Sequence, residues 1–358
     1  MDVPGNRGAA EGGAEELKIW FDADNAPHVL VMRPIALELT GRGHEVFFTA
    51  RDRSSTCELL DLYGLPYHRI GGSSVKSGTC KIATTLMRAV SLTRAVRRIK
   101  PDLSFGHGSR SLPIASRMLG IPSVTMFDYE WVNPLIFNRF CRTILLPEVI
   151  GQDRAVEAGI NTRRIRFFPG LKEQLYLAGR EFAGVPSHIR ELTGGKPYVL
   201  LRPPASTAHY HNPESEMVFE ALLENLTGHG EFVTVMIPRS MDDPSTGQAL
   251  KRGALIPDRI LDGPELVWNA SLVAGGGGTM TREGAVLGVP SVSFFMGRGG
   301  RVDEYLVSID RLSILRDARS AGILDPSALK RSSRLEVSGD LPGYVADTIL
   351  DRSAATAD

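Results

Sequence analysis

What most limits the fold of this chain is a repeating rhythm: a short apolar run, a turn, then an amphipathic stretch of ten or more residues. It starts at LKIWF (17–21), passes a polar loop and a helix-patterned stretch from Val29 to Thr40, and reaches EVFFTA (45–50). Helix pattern over Ser54–Tyr63, a short strand near Tyr67–Ile70, helix 81–99, strand 102–105, helix 110–119, strand 123–127, helix near 131–140 and strand 143–146 follow. Strands that alternate with helices pair in parallel, because the crossover to a parallel neighbour is long enough to hold a helix, and both sheet faces are then covered. The rhythm weakens at 179–196, where Gly179, Gly184, Pro186, Gly194 and Gly195 gather, and restarts at YVLLR (198–202). Helix 214–227, strand 232–237, helix 245–252, strand 271–275, helix 279–288 and strand 291–295 complete it. The expectation is an α/β protein of two Rossmann-like domains, 17–178 and 197–345, joined by a linker at 179–196, with a disordered tail at 1–16 and a second tail at 346–358. Their parallel sheets face each other across a cleft, and open parallel sheets bind ligands at the carboxyl ends of their strands.

A chain of 358 residues has room for two cores. Its 41 Lys and Arg balance 41 Asp and Glu, so no global charge favours nucleic acid, and none is expected as a partner. Cys57, Cys80 and Cys141 are scattered and odd in number, which suits neither a disulfide framework nor a thiolate metal site. No apolar run approaches the ~18 residues of a membrane span. Residues 1–16 lack the apolar stretch of a secretory signal. A cytoplasmic protein is expected.

The segment SLVAGGGGTMTREGAVLGVPSVSFF (271–295) carries the most chemistry. A buried strand runs into Gly275–Gly278 and a helix opens at Thr279. Glycines let the backbone approach a ligand, and the amides of the helix start favour a phosphate or diphosphate. Glu283, one turn on, is placed to accept hydrogen bonds from ribose hydroxyls. The plain alternative is a glycine turn that only lets helix and strand pack closely. The order Gly-Gly-Thr, Glu, Leu-Gly-Val-Pro resembles the donor site of UDP-sugar enzymes with the GT-B fold, including non-hydrolysing UDP-N-acetylglucosamine 2-epimerases and the N-acetylglucosaminyltransferase that forms lipid II. That resemblance implies phosphate contacts at Gly276, Gly277, Gly278 and Thr279, ribose at Glu283, and the base near the backbone of Ile260 and Leu261.

The loop DADNAPHVLVMRP (22–34) resembles the opening of the same transferases, as does RGHEV further on. It implies His28 at the acceptor or the sugar phosphates, where an imidazole can act as general base. Asp24 is a second catalytic candidate, or with Asn25 it shapes the loop, caps the helix or touches the sugar. The Asp22-Ala23-Asp24 pair also matches a metal-binding DxD or a phosphatase nucleophile pair, although neither comes with its other parts. RPPASTAHYHN (202–212) gathers Arg202, Ser206, Thr207 and His209 at another strand end, where cation and hydroxyls suit a diphosphate. His107, Asp128 and Glu130 lie where the epimerases keep catalytic groups, in a different motif. No metal site is expected, and no cofactor beyond the nucleotide sugar as substrate.

KIATTLMRAVSLTRAVRRIK (81–100) holds six Lys or Arg, no acid, and an apolar face of Ile82, Leu86, Met87, Val90, Val96 and Ile99. An ordinary amphipathic helix has this pattern. So does one resting on anionic lipid, which would suit a lipid-linked acceptor at the inner face of a membrane. Residues 17–345 as a whole resemble a GT-B-like family of archaea and bacteria (domain of unknown function 354) with the same N-x-P-H-V opening and GGGGTM-x-x-E turn. The reading is a metal-independent glycosyltransferase that moves a sugar from a UDP-linked or other nucleotide sugar to an acceptor. The alternatives are a 2-epimerase and a non-catalytic nucleotide-sugar-binding protein.

Overall fold

The computed structural model describes residues 15–53, 55–72, 78–182, 184–204, 213–239, 243–337 and 339–351. Among the described residues, twelve strands form two parallel sheets. The first sheet comprises β1 (Lys18–Ala23), β2 (Glu45–Ala50), β3 (Tyr67–Arg69), β4 (Leu103–His107), β5 (Ser123–Met126), β6 (Thr143–Pro147) and β7 (Ile165–Phe168), in the order β3-β2-β1-β4-β5-β6-β7. The second comprises β8 (Tyr198–Arg202), β9 (Val233–Met236), β10 (Leu272–Gly275), β11 (Ser291–Ser293) and β12 (Ser313–Ile314), in the order β12-β11-β10-β8-β9. Every pairing is parallel, for instance Phe21 beside Phe48 and Phe105, and Ala274 beside Leu201 and Val292. The central strands β1 and β10 are buried on both faces, as covered parallel strands are.

The sequence rhythm omits β7, β12 and the helix Gly151–Glu157, each short or only partly buried. A larger departure concerns the helix Gly78–Val96. Its inward residues are Ala89, Leu92 and Val96, packed with Trp20 and Leu112, while Ile82, Leu86 and Met87 face solvent. The apolar face expected at 81–100 is therefore rotated. Arg88 takes a core position because Asp22 waits there for it.

The two lobes share one apolar cluster, which joins Phe127, Ile144 and Leu171 to Leu200, Val273 and Ala285. The expected linker is not wholly loop: it holds the helix Ser187–Thr193, whose Ile189 is buried in that cluster. The chain then returns to the first lobe. The helix Leu341–Leu350 places Leu341, Val345, Ala346 and Ile349 in the first core, Tyr344 donates to the Phe167 carbonyl at 2.8 Å, and Arg142 donates to the Ile349 carbonyl at 2.7 Å. Residues 346–350, expected as tail, are thus helical and packed.

Candidate functional site

Each sheet reverses its winding once, between β1 and β4 in the first and between β8 and β10 in the second. Connections that leave neighbouring strands in opposite directions open a crevice between their loops. The loop after β1 carries Asp24 and His28, and β4 ends on His107. In the other lobe β8 ends on Arg202, and β10 runs into the glycine turn.

A cavity of about 390 Å³ lies there, lined by Arg202, Arg239, Thr279, Met280 and Glu283 on one side and by Ala26, Pro27, Leu30 and Leu59 on the other. Ile260 and Leu261, the residues expected near a base, line it too. The glycines serve different ends. A Cβ on Gly276 would lie 2.6 Å from Pro204 Cα and 2.8 Å from the Phe294 ring, so this residue lets two loops touch. It is buried, and its expected place among the phosphate contacts gives way to a packing role. Gly277, Gly278, Thr279 and Met280 remain partly open. Gly277 is the N-cap of the helix Gly278–Leu287 and supplies no side-chain cap, so the first amides of that helix lack partners within it.

Two guanidinium groups flank this opening. Arg202 donates to the Ile237 and Pro238 carbonyls at 3.1 and 2.8 Å, and Arg239 donates to the Pro203 carbonyl at 3.0 Å. Burial and the nearby Arg239 lower Arg202 to about 9, which leaves it charged at neutral pH. Positive charge thus gathers where the helix start already favours an anion. Glu283 closes the cavity from behind. It is 2% exposed, and the Tyr176 hydroxyl donates to its Oε1 at 2.8 Å across the lobes. Burial raises its carboxyl to about 8, so the expected ionised carboxylate is instead mostly protonated at neutral pH.

In the first lobe Asn25 caps the helix Ala26–Gly41, accepting the Ala26 amide at 3.2 Å. His28 Nδ1 accepts the Asp24 amide at 3.3 Å. A nitrogen that accepts carries no proton, so the neutral ring holds it on Nε2. Burial pushes the His28 pKa down to about 4. The ring therefore offers an N–H, which does not fit the general-base role expected of it. Asp24 pairs with Arg51 at 3.3 Å and Arg88 at 3.6 Å. Asp22 is fully buried and accepts from Arg88 at 2.7 and 2.8 Å, from Thr49 at 2.7 Å and from Ser109 at 2.7 Å. A carboxylate so engaged is an anchor for the loop, not half of a metal pair or a phosphatase nucleophile. Among the described residues no three His, Cys, Asp or Glu side chains gather as a metal site would require. Ser206, Thr207 and His209 lie outside the described residues.

Behind His28 sits a buried ionic cluster that the sequence reading reached only in part. The His28 and His107 rings are 4.9 Å apart, and His107 Nε2 stands 3.7 Å from Asp128. Asp128 pairs with Lys172 at 2.7 Å and with Arg282 at 2.5 Å, and Arg282 also holds Asp303 at 2.6 and 3.0 Å. Burial opposes the Asp128 charge, but Lys172 and Arg282 outweigh it and hold the carboxyl well below its usual range. Glu173 is fully buried beside Lys172, at 3.4 Å, and neither of its oxygens has a hydrogen-bond partner among the described residues. Burial raises its pKa. Glu130, the other carboxylate singled out, accepts the Arg301 amide at 2.9 Å. Lys172, Glu173 and Arg282 were missed, although a Lys-Glu doublet set between leucine and glutamine near a strand end was the available signal.

Solved structures share this fold along most of the chain. UDP-GlcNAc 2-epimerase from Methanocaldococcus jannaschii superposes with a TM-score of 0.64 at 12% identity, over 93% of this chain and 99% of that one. The glycosyltransferase of kitacinnamycin superposes with a TM-score of 0.52 at 15% identity, over 95% and 92%. The fold is GT-B. In sequence, an uncharacterized protein of Methanocaldococcus jannaschii is 26% identical over 313 residues, 85% of this chain and 89% of that protein. Residues 17–328 match the model of the family described as "Protein of unknown function (DUF354)", and the chain belongs to that family.

Proposed function

We propose that this protein binds a nucleotide sugar, UDP-linked, in the cavity between its lobes and transfers the sugar to an acceptor hydroxyl without a metal. One observation carries the reading: Arg202 and Arg239 line the same cavity as Thr279 and Glu283, and the Arg239 guanidinium lies against Gly277. A diphosphate would sit between the guanidiniums and the helix amides, ribose at Glu283 and the base toward Ile260 and Leu261. In the transfer, the acceptor oxygen bonds to the anomeric carbon as that carbon's bond to the diphosphate breaks. The nucleoside diphosphate leaves, neutralised by the two arginines. His28 donates from Nε2 to a sugar or phosphate oxygen, and Asp24, at the cleft edge, takes the acceptor's proton. The fold neighbours described as a UDP-GlcNAc epimerase and a glycosyltransferase support a sugar nucleotide as ligand.

A second reading, epimerisation, is favoured by the cluster of His107, Asp128, Lys172 and Glu173, since moving a proton on and off a sugar carbon needs buried acids and bases. Incubation with UDP-N-acetylglucosamine, followed by NMR, separates the two. UDP release that depends on an added acceptor supports transfer. A changed sugar without acceptor supports epimerisation. Failure of every UDP-sugar to raise the melting temperature would refute both.

A further inference from the structure

The helix Gly78–Val96 exposes what its spacing would have buried. Ile82, Leu86 and Met87 are 71%, 49% and 64% exposed, all in its first half. That half follows β3 and so lies at the carboxyl edge of the first sheet, the edge that faces the cleft. Arg88, one residue on, is tied to Asp22 and to the Ile70 carbonyl, which fixes the helix in this rotation. Toward its other end come Arg94, Arg97, Arg98 and Lys100, all exposed. The helix Ser111–Leu119 packs alongside and adds exposed Arg117 and Met118.

The charge here is one-sided in a chain that is neutral overall. Residues 73–127 hold nine Lys or Arg and a single acid, Asp102, which accepts the Lys18 amide. Apolar side chains at a tip, with a belt of guanidiniums behind, match the chemistry of an anionic bilayer surface. The tip enters the boundary of the acyl chains and the belt meets lipid phosphates. A second copy of the chain fits poorly. A two-fold pair would bring two patches of the same positive charge together, and three side chains fall far short of the ~800 Å² per partner that a stable interface buries. No described helix is long and apolar enough to cross a membrane, so the contact is peripheral.

We propose that Ile82, Leu86 and Met87, backed by Arg94, Arg97 and Arg98, dock this protein on an anionic membrane surface with the cleft opening along the bilayer. The inference does not depend on the nucleotide reading, and its test needs no nucleotide. Full-length protein is sedimented with vesicles of phosphatidylcholine alone or with roughly a third phosphatidylglycerol. Binding to the anionic vesicles only is expected, weakened at least about tenfold by Ile82→Glu with Met87→Glu and by Arg97→Glu with Arg98→Glu, and lost as salt shortens the Debye length. Melting temperature monitors folding of each variant, and Leu86→Ser serves as the milder probe if the double glutamate variant melts early. Absence of binding to anionic vesicles at low salt, or binding that none of these variants weakens, would overturn the proposal. So would self-association in sedimentation velocity that Met87→Glu abolishes, which would give this face to a second copy.

Discussion

Protonation of Glu283 makes nucleotide-sugar affinity depend on pH, in a direction that can be worked out. The carboxyl titrates near 8 because it is buried, with the Tyr176 hydroxyl its one neighbour that favours the charged form most directly. Two ribose hydroxyls donate more strongly to the carboxylate than to the neutral acid, so its pKa falls in the complex and binding releases a proton. The apparent Kd then scales as one plus the ratio of protonated to ionised carboxyl. With a bound-state pKa below the range tested, Kd at pH 6 is about ninety times that at pH 9, and at pH 7 about ten times. Affinity therefore climbs through neutrality and levels off above pH 8. Isothermal titration with UDP-N-acetylglucosamine reads this out, since its diphosphate stays fully ionised across the window and its uracil N3–H begins to titrate only at the upper end. Buffers of different ionisation enthalpy report the proton, about one per site at pH 7. Glu283→Gln should flatten the profile, and Tyr176→Phe should move it to higher pH by removing a donor that favours the anion. A wild-type Kd that stays constant from pH 6 to pH 9, or a slope that survives Glu283→Gln, would refute the reasoning.

Other outcomes follow from the same geometry. Arg202→Ala should weaken UDP binding by about tenfold to a hundredfold, as the loss of one charged hydrogen-bonding group does, measured by titration calorimetry at fixed pH. Asp128→Asn leaves Lys172 and Arg282 buried without their shared partner and should cost about 3–5 kcal/mol in urea unfolding. Gly276→Ala drives a Cβ to 2.6 Å from Pro204 Cα and should destabilise by about 1–3 kcal/mol, with Gly277→Ala costing less because its neighbour is the movable end of Arg239. His28→Ala should lower turnover by about a hundredfold to a thousandfold, the cost of losing one hydrogen-bond donor in the transition state, with a smaller loss of nucleotide-sugar affinity read by thermal shift.

The architecture was legible because period and length suffice for it. Apolar strands such as LKIWF and YVLLR, each followed by a turn and a long amphipathic stretch, permit little besides covered parallel sheets. The glycine turn was legible as a turn, but the division of labour within it was not. That Gly276 serves Pro204, while Gly277 and Gly278 stay open, depends on a contact between residues seventy-odd positions apart. His28 was found by its place after the first strand. Its tautomer was hidden, because it is set by one backbone amide, that of Asp24. Lys172, Glu173 and Arg282 come from two lobes and meet only when the cleft is assembled, so the Lys172-Glu173 doublet could mark a charged pair but not its partners. The rotation of the helix Gly78–Val96 was unreadable for a similar reason: burial of Arg88 makes sense only once Asp22 is beneath it.

The return of the helix Leu341–Leu350 to the first core has a consequence for how the molecule is made. A ribosome releases β1–β7 long before that helix, so the first lobe emerges with the side of its core meant for Val345, Ala346 and Ile349 uncovered. Its completion must wait for the second lobe to be synthesised. Birth order and folding order are thus decoupled, and a nascent chain stalled anywhere before Leu341 would present greasy surface that chaperones recognise.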